Sequence, residues 1–510
     1  MPQAYENPFD PPDPFSKGHA AEEDSSNSRL DHSMKKPLSS HRRGWYGFAV
    51  FFLFFFCFVM TAPLFVGVGA SFLAARDLTS DLSQMKSHLA VLDIADVEVD
   101  ADRLKTDVAG IRRGLGWTAW WRRAPWIGPR LLALDDAAQV GEQALGSVRL
   151  FLSAILSVQE ASASVGLALA DARIGLETQK TFSGLAKEEK RIILSRLQQA
   201  LPSLREARDT LAIAQDAWNR IPRDALLAPI RQKLEPAVVR VFAWNDQLTQ
   251  TIALLEIGLP LVGYPRPQTL LVLLQNADEM RPSGGFIGTV GLVRTEDGDL
   301  GHIQFDDVYA LDRLVENQWK EDPPDPIKRH LGVRAWYLRD ANWSPDVPQS
   351  ATKVIDFFER ERLLAGFATT TVDGVVFLEP RFFEELLHLT GPVIVEGKRF
   401  DEKNFFDELE YDVEQGFLSS GIPIRQRKAI VSKVGDALVE QLMRVPAAQW
   451  PELLAIITRA LERKDVMIVM RDPSLLGLLD ARHWTGRVES SPQDDLMVVD
   501  ANLAELKTDG

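Results

Sequence analysis

Apolar residues recur at helical spacing through the first half of the chain. Between residues 78 and 260 they return every three or four positions, as in the series Leu82, Met85 and Leu89, which is the spacing of one buried helix face. Prolines interrupt the pattern at places where helices begin or end. We therefore predict a helical stalk or bundle over residues 76–262.

The pattern changes at about residue 265, where short apolar runs begin to alternate with amphipathic segments. Such alternation predicts helices packed against a central mixed sheet, so residues 263–510 are expected to form an α/β domain. The strand candidates are Leu270–Gln275, Phe286–Arg294, Gly301–Phe305, Val372–Leu378, Val466–Met470 and Leu496–Val499. The helix candidates are Ser350–Leu364, Arg381–Leu389, Asp401–Leu418, Arg425–Arg444, Trp450–Arg463 and a helix that begins after Asp472.

The longest apolar stretch lies near the N-terminus, where no residue from Gly44 to Ala75 is charged. The hydrocarbon core of a bilayer needs roughly 20 apolar residues in a helix, so this stretch is long enough to span it. Basic residues precede the stretch, while Arg76 and Asp77 nearly cancel after it, an asymmetry that predicts a cytoplasmic N-terminus. A cleaved signal peptide would have a shorter apolar region, of about 7–15 residues. We predict an uncleaved, single-pass transmembrane helix over residues 44–75.

Composition predicts what lies on each side of this helix. Residues 1–43 are rich in Pro, Ser, Asp and Glu, which predicts a disordered cytoplasmic tail. The rest of the chain is then extracytoplasmic, because we find no other stretch apolar enough to span the membrane. The only cysteine, Cys57, lies inside the apolar stretch, so the exported part can form no disulfide. The formal net charge of −15 argues against general nucleic-acid binding.

Four tryptophans and several arginines cluster between residues 117 and 130. Aromatic rings beside basic side chains are typical of segments that lie on anionic lipid headgroups, and they also suit a protein partner. The same tryptophans can instead form a buried corner between two helices. We favour the buried corner, because Pro125 and Gly128 mark a turn under which tryptophans commonly pack.

The segment with the richest chemistry is residues 276–286, which places charged and amide side chains and the pair Gly284 and Gly285 between two strand-like runs. Pro282 cannot continue a helix or a central strand, and the glycines permit positive φ or close approach to a ligand. A tight connection that bears Arg281 is therefore expected at the sheet edge. It is either a ligand site or a plain hairpin whose arginine pairs with a nearby carboxylate. The carboxylates in question are those of Asp278 and Glu279.

Four motifs appear in order through the second half of the chain. They are QNADEMRPSGGFIGTVG within Leu271–Gly291, WYLRDANWSPDVP at Trp336–Pro348, VDG and LTGPVIV within Val372–Val395, and VVDAN at Val498–Asn502. Together they resemble the bacterial family known as domain of unknown function 4012, over residues 265–502. Members of that family carry a helical segment before this region and further strands after it. Since this chain stops at Gly510, we expect it to lack the final strands.

The order of these features is also distantly similar to the LytR-CpsA-Psr family, membrane-anchored enzymes that move glycans from polyprenyl pyrophosphate carriers to the cell wall. The shared features are the orientation of the anchor, an apolar strand followed by an arginine-bearing turn, the turn Leu389–Val393 and the arginine-glutamine segment Ile424–Lys428. The arginine-serine-aspartate signature of that family is reduced here to Arg281–Ser283, and Asp306–Asp307 stands in place of its proline-arginine-aspartate turn. This resemblance implies a phosphotransferase that acts on lipid-linked glycans in the cell envelope.

A pyrophosphate site requires converging guanidinium groups, which make paired, charge-assisted hydrogen bonds, and commonly carboxylates that hold Mg²⁺. The catalytic candidates are Arg281, Asp306 and Asp307, and the two aspartates are also the Mg²⁺ candidates, with Asp340 as a third carboxylate. The ligand-binding candidates are Arg339, Asp340, Asn342, Arg425, Arg427, Gly284 and Gly285. The structural alternative is a local turn network at residues 339–342, a loop cap at residues 306–307 and a solvated helix start at residues 425–428.

A different functional class also remains open, namely a non-catalytic envelope scaffold or a protein that binds a glycan or another cell-wall polymer. Convergence of the arginines on one apolar-walled groove, wide enough for a prenyl chain, would distinguish the transferase from this alternative. Other enzyme classes lack their motifs. The sequence contains no HExxH, no G-x-S-x-G, no P-loop and no G-x-G-x-x-G, which argues against metalloprotease, serine hydrolase and nucleotide hydrolase activity.

Overall fold

The computed structural model describes residues 41–90, 94–167, 182–416, 428–446, 449–489 and 496–503. The chain divides into two compact units, Met1–Ala62 and Pro63–Gly510. Most of the tail predicted over residues 1–43 lies outside the described residues. The chain combines a helical N-terminal region, which includes the apolar helix, with a mixed region of helices and strands.

The N-terminal region is helical as predicted. Its long helices are α1 (His41–Ala90), α2 (Ile94–Gly116), α3 (Gly128–Ser164), α4 (Lys187–Arg220) and α5 (Ala228–Leu261), and a 3₁₀ turn at Ala119–Arg123 precedes α3. Helix α3 packs against α2 and α4, and α4 packs against α5. The apolar stripe of α4 supplies much of the shared core, because its buried residues recur at helical spacing. They include Leu201, Leu204, Ala207, Leu211 and Ala214.

Two helices in the described ranges are long and apolar enough to cross a membrane. The first candidate is Phe52–Ala75, 24 residues within α1, and the second is the whole of α3. Only the first of these helices was predicted from the sequence. Helix α3 carries charged residues that pair with α2, since Arg112 Nη1 lies 2.7 Å from Glu142 Oε2 and Arg149 Nη1 lies 3.3 Å from Asp102 Oδ1. These ion pairs and the packing of α3 on α4 are typical of a helix within a helical bundle.

The strands form a mixed sheet, as predicted. They are β1 (Gln268–Arg281), β2 (Gly284–Glu296), β3 (Asp299–Leu300), β4 (Gln304–Asp307), β5 (Gly374–Leu378), β6 (Val393–Val395), β7 (Lys398–Phe400) and β8 (Val466–Met470). The order in the main sheet is β3-β2-β1-β5-β8, and β4 also pairs with β2. Strands β1 and β5 are parallel, whereas the other pairs are antiparallel. Strands β6 and β7 form a separate two-stranded ribbon.

Helices cover both faces of this sheet. They are α6 (Val308–Val315), α7 (Asp325–His330), α8 (Val347–Leu364), α9 (Pro380–Thr390), α10 (Phe405–Tyr411), α11 (Ala429–Leu442), α12 (Trp450–Arg463) and α13 (Pro473–Asp480). Leu271 and Leu273 belong to a core formed with α6 and α8. Leu270 and Val272 belong to a second core formed with α5, α12 and α13. Successive residues of a strand point to opposite faces, so one continuous apolar run in β1 serves both cores.

Several predicted elements differ from the observed ones. The strand predicted at 301–305 is β4, the helix predicted at 401–418 is α10 followed by a π-helical turn at Asp412–Gly416, and the helix predicted at 425–444 is seen from Ala429 to Leu442. Residues 496–499 form no strand in the described part of the chain, and their side chains are exposed. An apolar run becomes a strand only where a neighbouring strand accepts its hydrogen bonds, and no strand among the described residues pairs with residues 496–499.

The tryptophan-rich segment forms the predicted turn but not the predicted buried corner. Helix α2 ends at Gly116 and α3 begins at Gly128. Trp117, Trp120 and Trp126 are 64%, 70% and 74% exposed. The preference for a buried corner is therefore wrong. The turn closes by backbone contact instead, because Gly128 packs directly on the carbonyl of Arg122 and leaves no room there for a side chain.

Candidate functional site

The segment that the sequence singled out is a β-hairpin with a two-residue connection. Arg281 pairs with Gly284 across Pro282 and Ser283, and β1 continues past Gln275 with an irregularity after Asn276. We expected β1 to end at Gln275, but the bulge allows it to resume pairing with β2.

The glycine pair is required by close approach within the protein. Gly284 has a φ of +126°, and a Cβ there would lie 2.7 Å from Gln275 Oε1 and 2.9 Å from Glu379 Oε1. Gly285 packs against the backbone of Asn276 with no room for a side chain. Both glycines therefore accommodate contacts within the protein, and only Gly284 adopts the positive φ that the sequence suggested for the pair.

Arg281 is only 7% exposed. Its Nε and Nη2 atoms donate to Asp340 Oδ1, each at 3.4 Å, and Nη1 donates to the carbonyl of Asn502 at 2.8 Å. The guanidinium carbon lies 5.1 Å from the centre of the Phe286 ring, a cation–π distance. The hairpin interpretation thus holds with a different partner, because the arginine pairs with a distant aspartate and not with Asp278 or Glu279.

Three of the sequence motifs meet at this hairpin. Ser283 Oγ donates to the carbonyl of Asn342 at 2.9 Å, and Asn342 Nδ2 donates to the carbonyl of Gly285 at 2.8 Å. The backbone N–H of Asn502 donates to the carbonyl of Met280 at 2.9 Å. The segments RPSGG, RDAN and VVDAN are therefore far apart in sequence but joined by direct hydrogen bonds.

Arg339 is the second cation beside Asp340. Its Nη1 donates to Asp312 Oδ2 at 2.8 Å, and its Nε lies 3.6 Å from Asp340 Oδ2. Burial raises the pKa of Asp340, and the charges of Arg281 and Arg339 oppose that shift. The buried Arg281 and the partly buried Arg339 are thus neutralised by aspartates of the protein, so their convergence does not require a bound anion.

A second pair of acids extends this network. Asp312 and Glu361 lie within hydrogen-bonding reach of each other, and burial raises the pKa of Glu361 to about 9 and that of Asp312 to about 7. Asp312 Oδ1 and Glu361 Oε2 have no other hydrogen-bond partner, so one shared proton satisfies both. We call the set Arg281, Asp312, Arg339, Asp340, Asn342 and Glu361 the hairpin cluster.

Neither acid was predicted from the sequence, although each leaves a signal there. In α6 the buried positions are Val308, Leu311, Asp312 and Val315, so an aspartate occupies an otherwise apolar stripe. Glu361 likewise continues the buried stripe of α8 and is 0% exposed. An acid on the core-facing side of an amphipathic helix is a sequence signal of a buried, paired carboxylate.

The two adjacent aspartates of β4 have different environments. Asp306 is exposed, whereas Asp307 is 8% exposed. Asp307 Oδ1 accepts the N–H of Tyr309 at 3.2 Å, which caps α6, and lies 3.2 Å from Lys428 Nζ. Asp307 therefore caps helix α6, whereas the structural alternative was a cap on a loop.

The predicted Mg²⁺ ligands do not fit a magnesium site. Asp306 and Asp307 occupy successive positions of a strand, so their side chains point to opposite sides, and Asp307 already pairs with Lys428. No group of three or more His, Cys, Asp or Glu side chains suited to a metal occurs in the described part of the chain. Asp340, the third carboxylate, is held between two arginines.

An apolar pocket lies beside the hairpin cluster. It has a volume of about 160 Å³ and is walled by the ends of β1, β2 and β4 and by α9, α10 and α11. Lys428, Glu279 and Glu410 are the charged side chains that line it. The apolar lining includes Phe383, Phe405, Phe406, Leu409, Val434 and Leu438.

Two aromatic rings separate this pocket from the hairpin cluster. Phe286 and Tyr309 line the pocket, while the guanidinium groups of Arg281 and Arg339 lie 5.1 Å and 5.3 Å from the centres of the same two rings. Neither arginine lines the pocket. Arg425 and Arg427 lie outside the described residues, immediately before Lys428, which does line it.

The candidate residues therefore form two groups. Arg281, Arg339, Asp340, Asn342, Gly284 and Gly285 come together at the hairpin. Asp307 pairs with Lys428, which lines the pocket, and Asp306 is exposed on β4. The convergence of four arginines on one groove stays a prediction, because two of them lie outside the described residues.

Comparison with known families agrees with the family suggested by the motifs. Residues 266–413 match the family model described as "Protein of unknown function (DUF4012)". This span contains β1 to β7 and the motifs RPSGG and RDAN, whereas VVDAN lies beyond it. No curated protein and no solved structure matched the chain.

Proposed function

We propose that this protein is a membrane-anchored, extracytoplasmic protein of the cell envelope that binds a polyprenyl-linked phosphate in the pocket beside the hairpin. The proposed reaction, as the resemblance to LytR-CpsA-Psr enzymes implies, is transfer of the glycan phosphate from a polyprenyl pyrophosphate carrier. An acceptor hydroxyl forms the new P–O bond, the bond between the two phosphates breaks, and prenyl phosphate leaves while the hydroxyl proton passes to solvent. In this arrangement α1 crosses the membrane once, with the N-terminus in the cytoplasm, and α2 to α5 form the stalk that carries the α/β domain.

The observation that carries the proposal is the chemistry of the pocket. Its volume of about 160 Å³ is close to that of an engineered apolar cavity, about 150 Å³, which stays dry and binds benzene. It therefore has room for a short apolar segment such as part of an isoprenoid chain. Lys428 on its lining, which also pairs with Asp307 and donates to the carbonyl of Gly288, is the cation that we propose a phosphate group would contact.

A direct test is equilibrium binding of geranylgeranyl pyrophosphate to the full chain in lipid nanodiscs. Phe406 lines the pocket and is half-buried, so Phe406→Ala should weaken binding by about tenfold, which corresponds to about 1.4 kcal/mol. The matched control is Phe367→Ala, since Phe367 is 44% exposed and lies outside the pocket. Equal affinity in the wild type and in both variants would contradict the pocket as the binding site.

The role of the phosphate is tested by comparing geranylgeranyl pyrophosphate with geranylgeraniol. Recognition of the phosphate by Lys428 predicts that the alcohol binds more weakly and that Lys428→Met removes the difference. EDTA should leave the affinity unchanged, because the aspartates present do not fit a magnesium site. Binding that disappears on chelation would contradict this and restore the metal interpretation.

A non-catalytic envelope scaffold or glycan-binding protein is the second candidate, and the hairpin cluster favours it. The guanidinium groups of Arg281 and Arg339 are engaged by Asp340 and Asp312, whereas a transferase needs such groups directed at the pyrophosphate. Incubation with a polyprenyl pyrophosphate-linked oligosaccharide and an acceptor glycan separates the two functions. Release of the prenyl phosphate supports transfer, and binding without any release supports the scaffold.

A further inference from the structure

The turn that joins α2 and α3 is basic within an acidic protein. From residue 108 to residue 134 the sequence contains five arginines and no acidic residue, while the whole chain carries a formal net charge of −15. We refer to residues 117–130 as the tryptophan turn. Its charge is opposite to that of the chain as a whole, which marks it as a contact surface for an anionic partner.

The five arginines divide into two groups by their contacts. Arg112 and Arg122 are paired with acids of α3, and Arg122 Nη1, for example, lies 3.1 Å from Asp135 Oδ2. Arg113, Arg123 and Arg130 are exposed and make no ion pair within the described residues. Their charges therefore stay available to a ligand.

Three large aromatic side chains share this surface. Trp117, Trp120 and Trp126 are 64–74% exposed, although exposed tryptophans are costly to leave in water. Tryptophan is the side chain most typical of membrane–water interfaces, because its apolar ring and its N–H group suit opposite sides of that boundary.

The position of the turn relative to the apolar helix favours a lipid surface over a protein. A Cβ on Gly67 would lie 2.6 Å from the carbonyl of Gly114 and 3.2 Å from Trp117 Cβ. Ser71 Oγ donates to the carbonyl of Ile111 at 3.0 Å. The end of α2 is thus packed tightly against the later part of the candidate span Phe52–Ala75, within the unit Pro63–Gly510.

The position of this contact relative to the bilayer follows from the length of the uncharged stretch. The uncharged stretch begins at Gly44, and Trp45 and Tyr46 suit one membrane interface. Roughly 20 residues of helix cross the hydrocarbon core, which reaches to about residue 66. The uncharged stretch continues to Ala75, so Gly67, which contacts the tryptophan turn, lies in its final third, toward the opposite interface.

We propose that the tryptophan turn lies on the membrane surface, with Trp120 and Trp126 inserted among the headgroups and Arg123 and Arg130 bound to anionic lipid phosphates. This proposal rests on the membrane anchoring proposed above but not on the prenyl-binding function. It gives the helical region a second attachment to the bilayer. Such an attachment would fix the tilt of α2 and α3 relative to the membrane.

The test uses site-directed spin labels on the full chain. Cys57 is the only cysteine, so a Cys57→Ser background permits one label at a time. Trp120→Cys reports on the turn, and Val239→Cys on α5 is the matched control, because Val239 is an apolar residue that is 62% exposed. The protein is reconstituted in phosphatidylcholine vesicles with or without phosphatidylglycerol, and collision with a water-soluble nickel chelate is measured.

In vesicles that contain phosphatidylglycerol, we expect the label at position 120 to collide with the chelate about tenfold less often than the label at position 239. One arginine near an anionic surface changes the equilibrium between the free and the membrane-bound turn by about fivefold. Arg123→Glu with Arg130→Glu should therefore restore access at position 120. Arg196→Glu with Arg220→Glu, which changes the same charge on α4, should not.

Three results would overturn the proposal. Equal access at positions 120 and 239 in anionic vesicles would show that the turn stays in water. Equal protection in neutral vesicles would remove the role of lipid charge. Protection that occurs in native membranes but not in pure lipid vesicles would assign the turn to a protein partner. The prenyl-binding assay is independent of all three, so its failure would leave this test intact.

Discussion

The hairpin cluster and the apolar pocket lie on two sides of the same aromatic wall and differ in how their groups are satisfied. In the hairpin cluster each guanidinium faces a carboxylate of the protein, and Asn342 is 0% exposed. In the pocket, aromatic and aliphatic side chains surround a space of about 160 Å³. One region has its charges paired within the protein, with Asn342 Oδ1 as a buried acceptor that lacks a hydrogen-bond partner among the described residues, and the other region is an apolar surface around a space.

This difference supports the pocket, and not the hairpin cluster, as the place of the proposed ligand. A closed network of buried charges is costly to open, because removing one partner leaves the other charge uncompensated. An apolar pocket of this size gains free energy when an apolar group enters it. The motifs that carry the family resemblance therefore fix the hairpin and its aromatic wall, and the less conspicuous residues of α9 to α11 provide the space.

The largest effect is expected from breaking the ion pair of Arg281 with Asp340 in the hairpin cluster. Arg281→Ala leaves Asp340 buried with one weaker partner, so we expect the free energy of unfolding to fall by about 3–5 kcal/mol. Arg329→Ala is the control, since Arg329 is 71% exposed in its ion pair with Asp325 and should cost less than about 1 kcal/mol. Chemical denaturation followed by tryptophan fluorescence measures both. A loss below 1 kcal/mol at Arg281 would mean that the guanidinium is free for a ligand.

The second prediction concerns pH. Asp312 and Glu361 have folded-state pKa values raised to about 7 and about 9, so the folded protein binds more protons than the unfolded chain over this range. The stability that they contribute is present at low pH and is lost as the pH rises through these values. We expect the free energy of unfolding to decrease from pH 6 to pH 9, by up to about 1.4 kcal/mol per pH unit for each proton.

A substitution assigns this pH dependence to the acid pair. Glu361→Gln retains a donor for Asp312 and should flatten the profile above pH 7. Glu462→Gln, at an exposed position of α12, should leave it unchanged. A profile with the same slope in all three proteins would place the titrating groups elsewhere.

The third prediction addresses the shared wall. Phe286 lines the pocket and stacks on Arg281, so Phe286→Leu should weaken both prenyl binding and the packing of the arginine. Phe377→Leu is the matched control, because Phe377 is a fully buried phenylalanine of β5 outside the pocket lining. We expect Phe286→Leu to be less stable than this control by about 0.5–1 kcal/mol, the contribution of one cation–π contact. Identical stability of the two variants, together with unchanged prenyl binding by Phe286→Leu, would show that Phe286 contributes neither to the pocket nor to the packing of Arg281.

The smallest effect is expected at Asp306. It is exposed on β4, where even an ion pair contributes no more than about 1 kcal/mol. Asp306→Asn should therefore change neither the unfolding midpoint nor the affinity for geranylgeranyl pyrophosphate by a measurable amount. A large loss of affinity at this position, with stability intact, would return Asp306 to the catalytic role that the family resemblance implied.

Local patterns predicted the elements of this protein well. The spacing of leucines in α4, the apolar run of β1 and the glycine pair of the hairpin each reflect short-range physics that any chain with the same local sequence would share. The same holds for the apolar helix, because its length and composition alone qualify it to cross a membrane. The motifs from Leu271 to Pro348 also identified the family that residues 266–413 match.

Contacts between residues that are distant in sequence could be identified only from the tertiary structure. Asp278 and Glu279 are the nearest acids to Arg281 along the chain, but the fold places Asp340 against it, because the connection through α6 and α7 returns the RDAN segment to the hairpin. The sequence could not determine the exposure of the tryptophan turn either, since the same residues are compatible with a buried turn and with an exposed one. Periodicity shows which side of a helix is apolar, but only the packing of α9, α10 and α11 against the sheet decides whether their apolar sides meet or leave a pocket between them.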